Sequence, residues 1–257
     1  MIALITGASS GIGKDMAYYL NKLGYDLILV ARNEEKLNKL KQELNSRSDN
    51  VEIIVSDLSK QQECIKLYEK VKEKYNDIDI LINNAGFGLY GEILDTDIEK
   101  EMMMIDTNIK AVHILTKLFL KDMVEKDKGR ILNVASIASF MAGPLMATYY
   151  GTKNYILRFS QAIKEELYVR NSKVKISVLC PGPVTTNFNT VAGIENDLNG
   201  LESQYVSKVA IDNMLKNKFL IIPGLKIKIA IFFIKILPDS LISKICYKIQ
   251  KKKDIEQ

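Results

Sequence analysis

Short apolar segments alternate with helix-like segments along most of this chain. The apolar segments read IALIT, DLILVA, VEIIVSD, DILINNAG, GRILNVAS and VKISVLCPG, and KFLIIPG is a weaker seventh. Each is apolar on successive residues, as is typical of strands covered on both faces. Between the second and third segments, Leu37, Leu40 and Leu44 recur at helical spacing. The pattern predicts an α/β fold with three layers, in which helices cover both faces of a doubly wound, mostly parallel sheet of about seven strands.

The length of 257 residues suits one such domain, and we see no internal repeat or low-complexity linker that would divide it. In a sheet of this kind, ligands bind at the carboxyl ends of the strands, near the point where the strand order reverses. The segments TGASSGIG, AR, SDL, NNAG, NVAS and CPGP each follow a predicted strand. We therefore expect the functional residues at this edge of the sheet.

The turn TGASSGIG, residues 6–13, follows the first strand and opens a helix that we expect to end at Gly24. Its glycines permit positive φ angles and a close approach of the backbone to phosphate. The start of the helix supplies unpaired N–H groups and the positive end of a dipole, both of which suit a pyrophosphate. A glycine turn alone also fits a simple tight connection, but the strand–turn–helix context favours dinucleotide binding.

The end of the second strand indicates which dinucleotide binds. A site for NAD usually has Asp or Glu here to hold the ribose 2′-hydroxyl, whereas Arg suits the 2′-phosphate of NADP. The strand ends at Ala31 and Arg32, and the planar guanidinium of Arg32 fits a phosphate. We therefore expect NADP(H) in preference to NAD(H), with a solvated surface arginine as the alternative. Asp57, after the third strand, could accept a hydrogen bond from the adenine amino group.

Tyr149 and Lys153 lie four residues apart in a helical stretch, so their side chains share one face. A free tyrosine has a pKa of about 10 and exchanges protons poorly at neutral pH. A nearby ammonium favours the phenolate and lowers that pKa, which would make the tyrosine a usable general acid and base. This spacing also arises by chance on helices, and Tyr150, three residues before Lys153, is the competing tyrosine.

Together, these features resemble the short-chain dehydrogenase/reductase family over about residues 1–190. The order and the spacing of the motifs both match. The resemblance implies a Rossmann fold with a seven-stranded sheet and an NAD(P)-dependent oxidoreductase that acts on a carbonyl or an alcohol. The motifs that carry it are TGASSGIG, NNAG at residues 83–86, Asn108, Ser136, Tyr149 with Lys153, and PGPVTT from Pro181.

The same resemblance implies a catalytic set of Ser136, Tyr149, Lys153 and Asn108. Tyr149 would protonate the carbonyl oxygen during reduction, and Ser136 would hydrogen-bond that oxygen and stabilise the developing alkoxide. Lys153 would lower the Tyr149 pKa and contact the nicotinamide ribose. Asn108 would hold a water that links Lys153 to solvent as a proton relay.

The residues that the resemblance places around the cofactor span the whole strand edge. Asn84 and its neighbours would line the nucleotide groove, and the segment from Pro181 would seat the nicotinamide ring. Ser10 is a departure, because many NADP-binding relatives have a basic residue there, so Arg32 would hold the 2′-phosphate with less help. The full set is Gly7, Ser9, Ser10, Gly11, Ile12, Gly13, Arg32, Asp57, Leu58, Asn84, Ala85, Gly86, Tyr149, Lys153, Pro181, Gly182, Val184 and Thr186.

In enzymes of this kind, residues 188–206 would form a lid over the substrate. An apolar wall could come from Phe140, Met141, Met146 and Phe188, and methionine adapts to varied ligands. Plain core packing is the alternative role for these four side chains. No acid-binding arginine is evident near them, which favours an apolar ketone or aldehyde as the substrate.

Residues 224–257, called the tail below, contain eight lysines and three acidic residues, and thus the whole net charge of +5. The neutral remainder argues against a nucleic-acid partner. After Pro238 the sequence predicts a basic amphipathic helix, which could lie on the inner membrane surface or dock on the body or a partner subunit. The apolar face of that helix is Leu241, Ile242, Ile245, Cys246 and Ile249.

Three widely separated cysteines, no C-x-x-C motif and no secretory signal lead us to expect a reducing, cytoplasmic location. His113 is the only histidine, so we expect no histidine-based metal site. We place His113 at the surface or at a contact between subunits of a homo-oligomer. Two alternatives to an NADPH-dependent reductase stay open: an NAD-dependent alcohol dehydrogenase and a non-catalytic dinucleotide sensor. The intact catalytic set argues against the sensor.

Overall fold

The computed structural model describes residues 1–45, 50–194 and 200–251. Seven of the strands in these ranges form one sheet, and β7 and β8 form a separate parallel pair. The strands are β1 (Ile2–Thr6), β2 (Asp26–Ala31), β3 (Val51–Val55), β4 (Ile80–Asn83), β5 (Arg130–Val134), β6 (Lys175–Leu179), β7 (Val184–Thr185), β8 (Leu201–Glu202) and β9 (Leu220–Ile221).

The helices lie between these strands and follow the last one. A π-helical turn, Asp106–Ala111, joins α4 to α5, and a 3₁₀ turn, Ile137–Phe140, follows β5. The helices are α1 (Gly11–Lys22), α2 (Glu34–Asn45), α3 (Gln61–Lys74), α4 (Ile98–Ile105), α5 (Val112–Glu125), α6 (Ala147–Val169), α7 (Phe188–Ala192), α8 (Ser203–Leu215), α9 (Leu225–Ile234) and α10 (Asp239–Lys251).

The order of strands in the main sheet is β3-β2-β1-β4-β5-β6-β9, and every neighbouring pair is parallel. The doubly wound seven-stranded sheet expected from the sequence is therefore confirmed. The strand order reverses between β1 and β4, so the carboxyl ends of these two strands border the crevice in which such sheets bind ligands. The weak seventh segment is the short edge strand β9, which pairs with β6 through Leu220 and Ile221 alone.

Two apolar clusters, one on each face of the sheet, hold the layers together. Alternate strand residues point to opposite faces, so Ile5 and Leu29 belong to one cluster while Leu4 and Ile28 belong to the other. Helices α1, α2 and α8 cover the first face, and α3, α5 and α6 cover the second. In α2, the predicted leucines 37, 40 and 44 are all buried against the first face.

The tail packs on the body through one side of each of its two helices. In α9, Ile227 lies so close to Gly182 that a Cβ on that glycine would be 2.5 Å from the Ile227 Cδ1. In α10, the Gln250 amide donates a hydrogen bond of 2.8 Å to the Tyr150 hydroxyl. Within the described ranges, no helix is long and apolar enough to cross a membrane.

Candidate active site

The glycine turn after β1 is tied to the end of β4 by hydrogen bonds. The Thr6 hydroxyl accepts from the backbone N–H groups of Asn84 and Ala85, both at 3.0 Å. In return, the Asn84 amide donates to the carbonyl oxygens of Thr6 and Gly7. Because β1 and β4 are the strands between which the order reverses, these bonds fix the floor of the crevice.

Two glycines of the turn are required by close packing. A Cβ at Gly13 would lie 2.4 Å from the Asn84 amide nitrogen and 2.5 Å from the Gly7 carbonyl oxygen. Gly7 has a φ of +65°, and its Cβ would lie 2.8 Å from the backbone of Ala85. Any side chain at either position would push the start of α1 away from β4, so the turn keeps its shape only with glycine.

The start of α1 faces the crevice without a side-chain cap. Ser10 is the N-cap residue, and its hydroxyl accepts no hydrogen bond from the first turn of the helix. Ser9, Gly11 and Ile12 are half-buried beside it. The uncapped N–H groups and the helix dipole match the charge of a pyrophosphate. These residues therefore fit the phosphates of a dinucleotide.

The residues expected around the adenosine lie at the ends of the next two strands. Arg32 is exposed at the carboxyl end of β2. Asp57 follows β3, and its Oδ1 accepts from both the backbone and the hydroxyl of Ser59. Leu58 is buried in the apolar cluster on the second face. The exposed Arg32 guanidinium thus lies at the carboxyl end of β2. The Asp57 carboxylate, hydrogen-bonded to Ser59, lies at the end of the neighbouring strand β3.

Tyr149 and Lys153 lie on α6 and are both buried. The Lys153 Nζ is 5.8 Å from the centroid of the Tyr149 ring and donates a hydrogen bond of 3.0 Å to the Val134 carbonyl at the end of β5. The spacing of four residues therefore puts the ammonium beside the phenol, as predicted. Tyr150 points elsewhere, since its hydroxyl contacts Gln250 and Cys246 of the tail.

Ser136 reaches the same place from the end of β5. It is the extended N-cap of the 3₁₀ turn, where its hydroxyl accepts from the Ala138 N–H at 3.1 Å. The Ser136 side chain also forms a hydrogen bond with Tyr149. Three residues after Ser136, the Ser139 hydroxyl donates to the Lys153 carbonyl at 2.7 Å and so fastens α6 to the turn. Ser136, Tyr149 and Lys153 thus form one cluster.

The electrostatics of this cluster differ from the expectation in one respect. Burial raises the pKa of Tyr149 to about 12, and only the hydrogen bond with Ser136 opposes that rise. Burial also lowers the pKa of Lys153 to about 8. The expected lowering of the Tyr149 pKa by Lys153 is therefore wrong. The physical reason is that removing water disfavours both charged forms, the phenolate and the ammonium alike.

Asn108 lies in the π-helical turn and is buried. Its Oδ1 accepts from the N–H of Phe87 at 3.0 Å, and its Nδ2 donates to the Phe87 carbonyl and to the Thr152 hydroxyl. The Asn108 amide thus holds the segment that follows β4 against α6. Gly86 lies between Asn108 and Lys153, since its Cβ would be 2.8 Å from the Asn108 Oδ1 and 3.5 Å from the Lys153 Nζ.

The segment after β6 closes the other end of the crevice. The carbonyl of Pro181 accepts from the Ile137 N–H at 2.8 Å, and Val184 in β7 pairs with Leu201 in β8. Thr186 lies against the glycine turn, because a Cβ at Gly11 would be 3.2 Å from its methyl group. The turn, Gly182 and Thr186 therefore border one continuous edge, as the motif order predicts.

Three of the four residues proposed for the apolar wall surround Tyr149. Met141, Met146 and Phe188 share a cluster with it, and the Phe188 and Tyr149 ring centroids are 5.4 Å apart. Phe140 differs, because it packs into a separate cluster and lies under the Lys235 ammonium of the tail. Its place at the end of the 3₁₀ turn directs it away from the phenol, so its assignment to this wall is wrong.

The segment proposed as the lid is only partly described. Helix α7 lies at its start, and residues 195–199 are outside the described ranges. Val206, near its expected end, is fully buried within α8 in the cluster on the first face. A lid formed by this segment would therefore end before α8, since α8 belongs to the core.

Comparison with known proteins agrees with this geometry. The family model for short chain dehydrogenases matches residues 1–196. The chain belongs to the short-chain dehydrogenase family. An uncharacterised oxidoreductase from Staphylococcus aureus (strain MRSA252) is 31% identical over 210 residues, which cover 82% of this chain and 89% of the relative. This short-chain dehydrogenase is accordingly an oxidoreductase.

Solved structures show the same architecture. A short-chain dehydrogenase from Sphingobium yanoikuyae, in complex with NADPH, has a TM-score of 0.82 and 30% identity, covering 87% of this chain and 88% of its own. The bulky-bulky ketone specific alcohol dehydrogenase from Comamonas testosteroni has a TM-score of 0.78 and 26% identity, covering 87% and 86%. The Rossmann fold of this short-chain dehydrogenase is thus common to enzymes of known chemistry.

The sequence did not indicate several residues that support the site of this short-chain dehydrogenase. Thr6 and Ser139 hold the glycine turn and α6 in place, although neither carried a predicted role. Thr6 could have been found, because it opens the glycine motif at a strand end. Gln250 had no such signal, since its contact with Tyr150 joins residues 100 positions apart.

Proposed function

We propose that this protein is an NADP(H)-dependent oxidoreductase that transfers hydride between nicotinamide and a carbonyl or alcohol, with Tyr149 as the general acid and base. The observation that carries the proposal is the cluster of the half-buried Ser136 with the buried Tyr149 and Lys153 at the crevice bordered by the glycine turn. A phenol, a hydroxyl and an ammonium brought together out of water support a role in proton transfer.

The chain's own residues supply the proton and the orientation. In the reducing direction, the Tyr149 phenol donates its proton to the carbonyl oxygen while Ser136 hydrogen-bonds the same oxygen. Burial raises the pKa of Tyr149 further above its ordinary value of about 10, so the phenol is protonated at neutral pH. The Lys153 Nζ, 5.8 Å from the ring centroid, would lie beside the phenolate once the proton has left. When bound, the nicotinamide would supply the hydride that the carbonyl carbon accepts. In the reverse direction, the phenolate takes the alcohol proton.

Asn108 supports this cluster from the far side of Gly86. We propose that it holds the water of a proton relay to Lys153, as the family resemblance implies. Its Oδ1 and the Lys153 Nζ both lie within 3.5 Å of the point that a Cβ on Gly86 would occupy, which supports a shared water there. The bonds from Asn108 to Phe87 and Thr152 keep its amide fixed, so a water bound there would have a constant position.

Arg32 supports NADP(H) as the preferred cofactor. It is exposed at the carboxyl end of β2, where a 2′-phosphate would be bound, and the related Sphingobium enzyme was solved with NADPH. Ser10, also exposed, adds no positive charge. An NAD-dependent alcohol dehydrogenase is the second candidate, because Arg32 alone provides the charge that favours NADP(H).

An apolar ketone or aldehyde is the substrate class that the site supports. Met141, Met146 and Phe188 surround the phenol with apolar atoms. The ketone specificity named for the related Comamonas enzyme is consistent with this class. Residues 188–194 and 200–202, the described part of the proposed lid, would cover such a substrate.

We also propose a cytoplasmic homo-oligomer that reaches the inner membrane surface through its tail. His113 on α5 hydrogen-bonds the Tyr155 hydroxyl of α6 at 2.7 Å and stacks on Phe159. Tyr155 is exposed, so this aromatic group forms an apolar face suited to a subunit contact.

A carbonyl panel tests the reaction. Purified protein should oxidise NADPH in the presence of apolar ketones or aldehydes, and NADH should be used less well. Parallel titrations should show tighter binding of NADPH than of NADH. If both dinucleotides bind and no carbonyl or alcohol is turned over, the protein is a sensor and the proposed reaction is wrong.

A further inference from the structure

Helix α9 presents an apolar stripe directly to solvent. Leu225, Ile229 and Phe232 follow one another at spacings of four and three residues, and Ile236 continues the stripe in the turn after the helix; each of the four is at least half exposed. The opposite side of the same helix, with Ile227 and the buried Ile231, packs on the body. The exposed stripe is therefore not the face that holds the tail in place.

Helix α10 likewise has a buried stripe and an exposed apolar stripe, and it has a third stripe of lysines. Its buried stripe consists of Ile242, Cys246 and Gln250. Next to it around the helix, Leu241, Ile245 and Ile249 form an exposed aliphatic stripe. The single apolar face expected from the sequence is thus split in two, because only half of it fits against Tyr150 and its neighbours. The third stripe, at spacings of four and three residues, is Lys244, Lys248 and Lys251.

Exposed lysines flank the exposed apolar stripes of α9 and α10. On α9, Lys226 lies on one flank of the outward stripe and Lys228 and Lys235 lie on the other. All six lysines between residues 224 and 251 are exposed, and Asp239 is the only acidic residue there. A nucleic acid or an acidic peptide would match the lysines alone. An anionic lipid surface matches both features, since phosphates meet the lysines while acyl chains receive the aliphatic and phenyl groups.

We propose that the outward faces of α9 and α10 dock on the surface of an anionic lipid bilayer. We call these faces the lipid surface: Leu225, Ile229, Phe232, Phe233, Ile236, Leu237, Leu241, Ile245 and Ile249, with Lys226, Lys228, Lys235, Lys244, Lys248 and Lys251.

Docking in this way would hold the substrate site at the bilayer. Cys246, on the inner face of α10, belongs to the same apolar cluster as Tyr149 and Phe188. The helix that would touch lipid on one side therefore belongs, on its other side, to the apolar cluster around Tyr149. We infer, on the basis of the proposed function, that the substrate is a carbonyl compound dissolved in the membrane, to which Tyr149 gives a proton as hydride reaches the carbonyl carbon.

Vesicle flotation with the full-length protein tests the docking. The protein should float with phosphatidylcholine vesicles that contain phosphatidylglycerol and not with phosphatidylcholine alone. The Phe232→Ser, Phe233→Ser double variant should lower the partition coefficient by at least about tenfold, because each phenyl group loses its transfer from water. The Lys226→Glu, Lys228→Glu double variant should lower it by at least about twentyfold, and added salt should weaken wild-type binding.

Matched variants on the body control for exposure and charge. Tyr168 and Val169 are an adjacent exposed pair at the end of α6, so Tyr168→Ser with Val169→Ser removes a comparable apolar area elsewhere. Lys36→Glu with Lys39→Glu reverses two exposed lysines of α2. Both controls should float like the wild type. Equal losses in the control and tail variants would overturn the proposal, because vesicle binding would then not depend on the tail.

Two aldehydes separate docking from catalysis. A long-chain aldehyde carried in anionic vesicles should be reduced more slowly by the Phe232→Ser, Phe233→Ser variant, in proportion to the lost bound fraction. A short, water-soluble aldehyde should be reduced at the wild-type rate. If neither aldehyde is reduced by wild type, the proposed function fails, and flotation still decides the docking. If wild type reduces both aldehydes but does not float, the docking alone is overturned.

One further outcome would assign the surface differently. If the phenylalanine variant changes the assembly from larger to smaller in light scattering, and wild type does not bind vesicles, the faces are contacts between copies of this chain. That result would also overturn the proposal.

Discussion

The catalytic edge and the tail arrange the same kinds of side chain in opposite ways. At the edge, Lys153 is 6% exposed and lies among apolar groups, so its charge is forced into a water-poor site. In the tail, lysines stay in solvent and it is the apolar groups that are displaced into water, with Phe232 at 61% exposed. The edge thus uses burial to change proton affinities, whereas the tail exposes surface that is stable only when something covers it.

The largest effect that distinguishes the two regions should come from adjacent tyrosines. Tyr149→Phe removes the proposed proton donor and should lower the rate of NADPH-dependent carbonyl reduction by roughly 10²–10⁴-fold. Tyr150→Phe removes a hydroxyl that serves only the tail contact, and we expect activity within about threefold of wild type. Steady-state kinetics on both variants measure the contrast. Equal losses would mean that the tail contact, rather than the phenol of Tyr149, limits the reaction.

Two neighbouring residues of α9 should separate the docked face from the exposed face. Ile231→Ala leaves a cavity where the tail meets the body, and we expect a loss of about 2–4 kcal/mol in the free energy that holds the tail docked. Phe232→Ala should change that free energy by less than about 0.5 kcal/mol in water. Amide hydrogen exchange across residues 225–251 gives both values. A large effect of Phe232→Ala would show that its ring packs on protein.

Arg32 tests whether the edge recognises the 2′-phosphate by charge. Loss of a charge-assisted hydrogen bond removes about 1.5–3 kcal/mol. We therefore expect Arg32→Ala to raise the KM for NADPH by roughly 10–100-fold and to leave the KM for NADH nearly unchanged. The NADH series serves as the internal control. An equal rise for both cofactors would indicate a general defect of the groove and would favour the NAD-dependent alternative.

Lys153 should show that catalysis and stability conflict at the edge. Its pKa falls from 10.5 to about 8 on folding, so the unfolded chain binds more protons between these pH values. The contribution of Lys153 to the free energy of unfolding should therefore rise with pH from about 8 to about 10.5, while the buried thiols of Cys64 and Cys180, whose pKa values burial raises to about 11 and about 12, oppose that rise above about pH 9. Lys153→Met should remove the lysine contribution and leave that of the thiols. At pH 7 it should also increase stability by about 1–2 kcal/mol, since relief from burying the charge exceeds the lost bond to Val134.

Urea titrations at several pH values, with activity measured in parallel, check this prediction. Lys153→Met should be more stable than wild type at pH 7 and less stable above about pH 10, because the fall in the Lys153 pKa from 10.5 to about 8 is worth about 3 kcal/mol. Activity should change in the opposite sense, with the methionine variant nearly inactive. A methionine variant that is less stable at pH 7 would show that the ammonium is well solvated in the folded protein.

Much of the site followed from local patterns, and its exceptions share one cause. The glycine turn, Arg32, Ser136 and the four-residue spacing of Tyr149 and Lys153 were found where predicted, because each depends on a strand end or a helix repeat. Phe140 was misplaced, since a residue at the end of a turn can face either of two clusters. Local spacing does not decide between them.

The sequence by itself determined the doubly wound sheet and the edge at which the site lies, because strand and helix periods and glycine positions act over a few residues. It also determined that the excess charge is confined to the tail. Tertiary structure decided the high pKa of Tyr149 and the low pKa of Lys153, along with the split of the α10 apolar face into a buried and an exposed stripe. Those properties depend on how much water each group loses, which is fixed only when distant segments such as α6 and α10 meet.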